Sequence, residues 1–343
     1  RDLHLSIRRQ RQMCIRDRLE RHYGKEFVHF GGLKIITTLD TRLQKFAFRG
    51  AQNHLDLLKG KIKKESRSEN LQVALVAVEN KSGAIKALLG GRNYSHSQFN
   101  RAVSNNRLPG SSFKPFVYLT AMESLDFSPA TVVLDEPLQI EIAGTKPWEP
   151  QNFDEEFAGN IILKKALLKS INIVSVKLMQ QVGPEKVIRT ARKFGIKSPL
   201  GKHLSLALGT SGLAPLEIAS AYSVIANLGI YNEPYLIQQI EDFQGNRLYE
   251  HFYQGVQQFS PDTLYPLLDM MQGVIERGTG RVIRRMGFRH PAAGKTGTTN
   301  NFKDSWFNGF TKDLSTSVWA VSYTHLRAHE TRHDLVCRLL LEK

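Results

Sequence analysis

The order of the candidate strands limits the folds open to this chain more than any other feature. Residues 71–79 (LQVALVAVE) are apolar and rich in valine, and residues 84–89 return after a polar turn at 80–83, so the pair predicts a β-hairpin. Three more short strands are predicted at 294–299, 305–310 and 315–320. Most of the interval from about 111 to 272 has helical spacing. Strands early and late, with helices between, predict one α/β domain whose sheet is built from both ends of the sequence.

A segment of different pattern, residues 19–70, precedes the hairpin. Residues 33–38 (LKIITT) are β-branched and predict a strand. Asp40 or Thr41 can cap a helix that runs to about residue 59, and residues 60–70 predict a charged linker.

The two ends of the sequence differ from the rest. Residues 1–18 have no periodicity of helix or strand, and residues 321–343 hold three of the eleven histidines. Both ends resemble translated sequencing-adapter sequence. We expect both to be foreign, although they could be ordinary basic tails. This places the main domain at residues 71–320 and predicts that it is truncated at its C-terminal side.

Composition excludes several classes of function. The formal charge is +15, but the basic residues are scattered, without interleaved aromatic residues or a nucleic-acid-binding motif, so we expect no nucleic-acid partner. The two cysteines, Cys14 and Cys337, lie at opposite ends, so the chemistry must proceed without thiols. No run approaches the ~18 apolar residues that a membrane-spanning helix needs.

The first motif that can carry chemistry is S-x-x-K at Ser111 and Lys114. Residues 113–125 predict a helix, which places Ser111 at a helix N-terminus, where backbone N–H groups favour negative charge. Lys114 follows one turn later on the same face. A serine needs a base to become a nucleophile, and a lysine can be that base only when it is neutral. Alone, the motif fits a capping serine and a solvated lysine equally well.

The second motif is S-x-N at Ser170 and Asn172, between the apolar helical stretches 161–168 and 173–179. Polar side chains in such a setting need partners, which an active-site cleft would supply. Two further S-x-N sequences, at 68–70 and 104–106, precede Ser111. Without the other motifs, a serine and an asparagine at a helix junction would be the simpler interpretation.

The third motif is Lys295-Thr296-Gly297-Thr298, on a predicted strand. A glycine within a strand lets another backbone approach closely, as a peptide substrate along a sheet edge would. The lysine supplies a cation, and the threonines supply hydroxyls suited to a carboxylate. A similar K-S-G sequence at 81–83 falls in the turn of the first hairpin and is set aside.

Together and in this order, the three motifs mark class A β-lactamases and penicillin-binding proteins. The surrounding sequence, over about residues 19–320, resembles the transpeptidase domain of bifunctional class A penicillin-binding proteins, and residues 31–44 resemble the segment that joins the two domains in that family. The stretches that carry the first likeness are RLPGSSFKPF, WEPQNFD, LKSINIVSVKL, ALGTSGLAPLEIASAY, RGTGR and GKTGTTNNFKDSWF. This resemblance implies a serine β-lactamase/D,D-peptidase-like α/β fold, with a five-stranded antiparallel sheet flanked by helices and an all-helical subdomain.

The resemblance also implies a role for each motif residue. Ser111 would attack the penultimate D-Ala carbonyl of a stem peptide, with Lys114 as general base. Ser170 would relay a proton, Asn172 would hold the donor amide and orient Lys114, and Lys295 would keep Lys114 neutral.

The remaining motif residues would bind substrate. Thr296 and Thr298, with Gly297 between them, would hold the terminal carboxylate. The backbone N–H groups of Ser111 and Thr298 would form the oxyanion hole. Neither a metal nor an organic cofactor is implied.

The expected function is therefore peptidoglycan cross-linking by a serine D,D-transpeptidase, with possible D,D-carboxypeptidase side activity. Its partners would be stem peptides, lipid-linked nascent glycan and β-lactams. We expect it at the outer face of the cytoplasmic membrane, held by an N-terminal anchor missing from this sequence. The alternatives are a serine β-lactamase, which needs a deacylating glutamate after the S-x-N motif, and a non-catalytic β-lactam sensor or scaffold domain.

Overall fold

The computed structural model describes residues 19–20, 23–61, 71–104, 107–141, 144, 146–299 and 304–322. The tail predicted at 1–18 lies outside the described residues, as does the tail predicted at 321–343 apart from its first two residues. Those two residues, 321 and 322, belong to the last strand, which therefore continues past the expected domain boundary.

In the described chain, helices and smaller sheets surround one large sheet. In chain order the elements are α1 (Lys25–Phe30), β1 (Lys34–Thr37), α2 (Thr41–Lys61), β2 (Leu71–Glu79), β3 (Ile85–Leu89), α3 (Lys114–Leu125), β4 (Val132–Asp135), β5 (Gly159–Ile162), α4 (Leu163–Lys169), α5 (Asn172–Val182), α6 (Pro184–Lys193), α7 (Pro215–Ala226), β6 (Ile230–Tyr231), β7 (Ile237–Glu241), β8 (Arg247–Glu250), β9 (Val256–Gln257), α8 (Pro261–Glu276), α9 (Val282–Arg285), β10 (Ala293–Thr298), β11 (Asp304–Phe310) and β12 (Leu314–Ser322). Three 3-10 turns lie at Arg101–Val103, Gly110–Phe113 and Leu204–Leu208.

The large sheet confirms the predicted fold class. Its five strands run in the order β10-β11-β12-β2-β3, and all neighbours are antiparallel. The early hairpin and the late strands meet where β2 pairs with β12, from Glu79 opposite Leu314 to Leu71 opposite Ser322. Strand β10, which carries the K-T-G motif, therefore lies at one edge of the sheet.

Each face of the sheet is covered by helices. On one face, α3, α5, α7 and α8 contribute to the larger apolar core. On the other, Ala47, Ala51 and Leu55 of α2 recur every four residues, so they share one helix side and pack against the sheet. At 21 residues α2 is a long helix, yet no helix in the described part of the chain is both long and apolar enough to cross a membrane.

The region predicted to be mostly helical also contains six short strands, β4 to β9. Strand β7 pairs with β1 on one side and with β8 on the other, so the segment before the large sheet is tied to a hairpin about two hundred residues later. These strands have two to five residues. Such lengths are too short for sequence periodicity to separate strand from loop, which is why the expectation was incomplete.

Packing of α2 on the sheet can be tested with a matched pair of leucines. Leu55 is fully buried, whereas Leu57 on the same helix is 47% exposed. We expect Leu55→Ala to lower the free energy of unfolding by about 2–5 kcal/mol, since it removes buried methyl groups and leaves a cavity. Leu57→Ala should change it by less than about 0.5 kcal/mol. Urea denaturation measures both, and equal effects would contradict this packing.

Candidate active site

Ser111 lies in a 3-10 turn, Gly110–Phe113, that leads directly into α3. The neighbouring Ser112 has a structural role, since it is only 1% exposed. Its hydroxyl accepts a hydrogen bond from Asn308 Nδ2 at 2.8 Å, and its carbonyl accepts one from the Tyr222 hydroxyl at 2.8 Å. Ser111 is half-buried and lines an open cleft. Of these two adjacent serines, Ser111 is the one that a substrate can reach.

The turn packs against the K-T-G strand without space between them. A Cβ atom on Gly297 would lie 2.3 Å from the Pro109 carbonyl oxygen and 2.4 Å from Ser112 Oγ, and one on Gly110 would lie 2.4 Å from the Thr298 carbonyl oxygen. Glycine at both positions is therefore a steric requirement. The sequence assigned the close approach at Gly297 to a substrate backbone, whereas in the structure the turn that carries Ser111 makes it.

Lys114 is fully buried, and its amine is surrounded by oxygen atoms. Nζ lies 2.6 Å from the Ser170 carbonyl oxygen, 2.7 Å from Asn172 Oδ1, 3.1 Å from the Ile171 carbonyl oxygen and 3.3 Å from Ser170 Oγ. Burial, which removes the solvation of the ammonium, and the nearby charge of Lys295 hold the pKa of Lys114 well below its usual value.

Lys295 is also fully buried, and its Nζ donates to Ser170 Oγ at 2.8 Å and to the Thr296 carbonyl at 3.1 Å. The Ser170 hydroxyl therefore lies between the two lysine amines. Its oxygen accepts hydrogen bonds from both amines. The S-x-x-K, S-x-N and K-T-G motifs thus converge on one hydroxyl oxygen.

The backbone at Ser170 is in an unusual conformation. With φ 61° and ψ 39° it is left-handed, and it ends α4 two residues before α5 begins. That conformation costs a residue with a side chain roughly 1–2 kcal/mol. Non-glycine residues held in this way cluster at functional sites.

Asn172 is held by residues that the motif analysis did not single out. The backbone N–H groups of Asn172 and Ile173 donate to Asn152 Oδ1 at 3.0 and 3.1 Å. Asn152 Nδ2 in turn donates to Asp135 Oδ1 at 2.9 Å, and both side chains are buried. Asn172 Nδ2 donates to the Gln151 carbonyl at 2.8 Å. The WEPQNFD stretch was the available signal, because it contains Gln151 and Asn152.

The cleft in front of these groups has a volume of about 850 Å³. Five of the predicted site residues line it: Ser111, Ser170, Asn172, Thr296 and Thr298. The other three, Lys114, Lys295 and Gly297, are buried next to the lining residues. Among the described residues there is no group of three or more His, Cys, Asp or Glu side chains that could hold a metal ion.

The carboxylates of the described cleft lining are Glu149 and Asp304. Asp304 Oδ1 accepts a hydrogen bond from Trp319 Nε1 at 2.9 Å and lies 3.7 Å from the Arg107 guanidinium. Glu149 is exposed and precedes Ser170 in the sequence. The same described lining also includes the hydroxyls of Ser111, Ser170, Thr296 and Thr298 and the amide of Asn172.

The left-handed backbone at Ser170 generates a stability prediction. Ser170→Gly and Ser170→Ala both remove the hydroxyl, but only glycine adopts this conformation without cost. We expect the glycine variant to be more stable than the alanine variant by about 1 kcal/mol in chemical denaturation. An alanine variant that is equally stable would show that the conformation is not maintained in solution.

The sequence is similar to a family of known proteins. Residues 73–335 match a family model described as the penicillin binding protein transpeptidase domain. Relatives described as penicillin-binding protein 1A include one from Aquifex aeolicus, 39% identical over 73% of this chain and 34% of its own length, and one from Neisseria lactamica, 41% identical over 73% and 32%. The chain therefore spans about a third of the length of these relatives.

Solved structures show the same fold. Penicillin-binding protein 1A from Haemophilus influenzae superposes with a TM-score of 0.87 over 96% of this chain and 69% of that chain, at 22% sequence identity. The PonA1 protein from Mycobacterium tuberculosis, solved in complex with penicillin V, superposes with a TM-score of 0.82 over 98% of this chain and 92% of that chain, also at 22% identity. With the family match over most of its length, the chain belongs to the transpeptidase domain family of penicillin-binding proteins.

Proposed function

We propose that this chain is a serine D,D-transpeptidase domain that cross-links peptidoglycan through an acyl-enzyme on Ser111. The observation that carries the proposal is the Ser170 hydroxyl, which lies 2.8 Å from Lys295 Nζ and 3.3 Å from Lys114 Nζ. A hydroxyl between two buried amines, in the cleft that Ser111 also lines, is suited to moving protons on and off a nucleophile.

Acylation begins with the neutral Lys114 amine. Ser111 Oγ attacks the carbonyl carbon of the penultimate D-Ala, and its proton passes to Lys114. The negative charge moves to the carbonyl oxygen, where the backbone N–H groups of Ser111 and Thr298 stabilise it. When the peptide bond breaks, the departing D-Ala nitrogen receives a proton through Ser170, and Lys114 returns to its neutral form. The product is an ester on Ser111.

Transfer follows the same route in reverse. The amine of an acceptor stem peptide attacks the ester carbonyl and loses a proton through Ser170 to Lys114. The ester bond breaks, Ser111 regains the proton, and a new peptide bond has formed. Water in place of the amine would give D,D-carboxypeptidase activity as a side reaction.

The charge of Lys295 beside the cleft supports a substrate that ends in a carboxylate. Lys295 remains the charged lysine when Lys114 is neutral, and the hydroxyls of Thr296 and Thr298 face the same cleft. A terminal carboxylate would satisfy these donors. Penicillin V carries a carboxylate beside its reactive amide, and PonA1, which has the same fold, was solved with that compound. We therefore include β-lactams among the compounds that acylate Ser111.

A transpeptidase is favoured over a serine β-lactamase. Of the two carboxylates in the described cleft lining, Glu149 precedes Ser170 in the sequence and Asp304 is bound by Trp319 and Arg107. Neither is a glutamate placed after the S-x-N motif to activate water. A penicillin adduct that lasts minutes or longer would agree with a transpeptidase, and one hydrolysed in under a second would indicate a β-lactamase.

The wider setting is part of the same proposal. Stem peptides and lipid-linked nascent glycan are found at the outer face of the cytoplasmic membrane, so the domain would act there, anchored through a longer protein. A sensor or a scaffold would form the penicillin adduct without turnover. Incubation with a stem-peptide donor and an amine acceptor separates these functions, because only an enzyme yields cross-linked product in mass spectrometry.

The nucleophile can be tested by labelling with a fluorescent penicillin. Ser111→Ala should abolish the adduct. Ser205→Ala is the matched control, since Ser205 is another serine of the cleft lining, and it should leave labelling unchanged. An adduct that persists in Ser111→Ala, or that maps to Ser112, would refute the assignment.

The general base can be tested by replacing each of the two lysines with arginine. Lys114→Arg should slow acylation by more than about a hundredfold, because guanidinium cannot become neutral, whereas Lys295→Arg should be milder because it keeps the charge. In the unsubstituted protein, acylation should slow as the pH falls through the lowered pKa of Lys114, because protonation removes the base. Thermal melts verify that both variants are folded. If both substitutions slowed acylation only mildly and to the same extent, Lys114 would be excluded as the base.

A further inference from the structure

A turn between α8 and α9 connects two of the three motifs. The backbone N–H of Thr279 donates to the Leu168 carbonyl at 3.2 Å, two residues before Ser170. Its hydroxyl lies 2.7 Å from the hydroxyl of Thr296 on β10. Thr279 also lines the cleft, together with Ser111 and Thr296.

The fold of the turn does not depend on the Thr279 side chain. The N–H of Gly278 donates to the carbonyls of Gly273 and Val274, and the N–H of Gly280 donates to the same Val274 carbonyl at 3.0 Å. These backbone hydrogen bonds, with the one to Leu168, hold the turn in place. The Thr279 hydroxyl is therefore available for another role.

When two hydroxyl groups hydrogen-bond to each other, the contact uses the proton of one group. The proton of the other group remains available for a different acceptor. Each threonine has a single O–H donor, and the 2.7 Å contact uses one of the two. The second proton can then point into the cleft. Lys295 Nζ donates to the Thr296 carbonyl at 3.1 Å, so this amine lies next to the residue that carries one of the two hydroxyls. A hydroxyl donor next to a lysine suits an anionic ligand group such as a carboxylate.

We propose that Thr279 is a positioning residue that orients the Thr296 hydroxyl toward the terminal carboxylate of the donor peptide. By donating to Thr296 Oγ1, it leaves the Thr296 proton free to face the substrate. This inference rests on the proposed function, and it makes Thr279 a determinant of specificity for substrates that end in a free carboxylate.

The test compares two acyl donors that differ only at their end. Both are D-alanyl thioesters, one ending in a carboxylate and the other in a carboxamide, and kcat/KM is measured for each. Thr279→Val, which keeps the side-chain shape, should lower kcat/KM for the carboxylate substrate by about tenfold or more, since tenfold is the lower end of the effect of a hydrogen bond to a charged group. It should leave the carboxamide substrate nearly unchanged. Thr279→Ser, which keeps a hydroxyl, should restore the preference.

A merely structural role would lower both rates together, and that result would overturn the inference. An unchanged preference in Thr279→Val, or a serine variant that behaves like valine, would also overturn it. If the unsubstituted protein forms the Ser111 adduct but does not prefer the carboxylate substrate, this inference alone fails. If it forms no adduct at all, the proposed function fails and the inference with it.

Discussion

The site depends on one electrostatic problem, the burial of two lysine amines around one hydroxyl. Lys114 and Lys295 have no exposed surface, and Ser170 Oγ lies within hydrogen-bonding distance of both. Two unsolvated ammonium groups this close would repel strongly, because the local dielectric is low. This repulsion disappears if one of the two lysine amines is neutral. We propose that Lys114 is the neutral one, since burial and the nearby Lys295 charge both lower its pKa.

The rest of the fold keeps these three groups together. Lys295 lies on an edge strand, Lys114 begins a helix, and Ser170 joins two others. The turn before Lys114 fits against β10 only because Gly110 and Gly297 lack side chains. This contact fixes the separation between the S-x-x-K turn and the K-T-G strand. The pairing of β2 with β12 then closes the sheet on which β10 rests.

Sequence patterns predicted the large elements and the residues of the site, but not how the site is held. The strands β2, β3, β10, β11 and β12 are long or strongly patterned, so they were found close to their observed bounds. Strands β4 to β9 are too short to have a detectable period. Sequence spacing also cannot show that Asn152 caps α5 or that Thr279 reaches Thr296, because these contacts join residues brought together only by folding. The roles of the motif residues and the domain boundaries stay predictions.

If Lys114 is neutral while Lys295 is charged, a side-chain titration measures this directly. NMR of protein with isotope-labelled lysine, with Lys114 assigned from the signal missing in Lys114→Arg, follows the amine as the pH is raised. We expect Lys114 to lose its proton well below 10.5, its usual pKa. A Lys114 amine that stays protonated up to about 10.5 would contradict it.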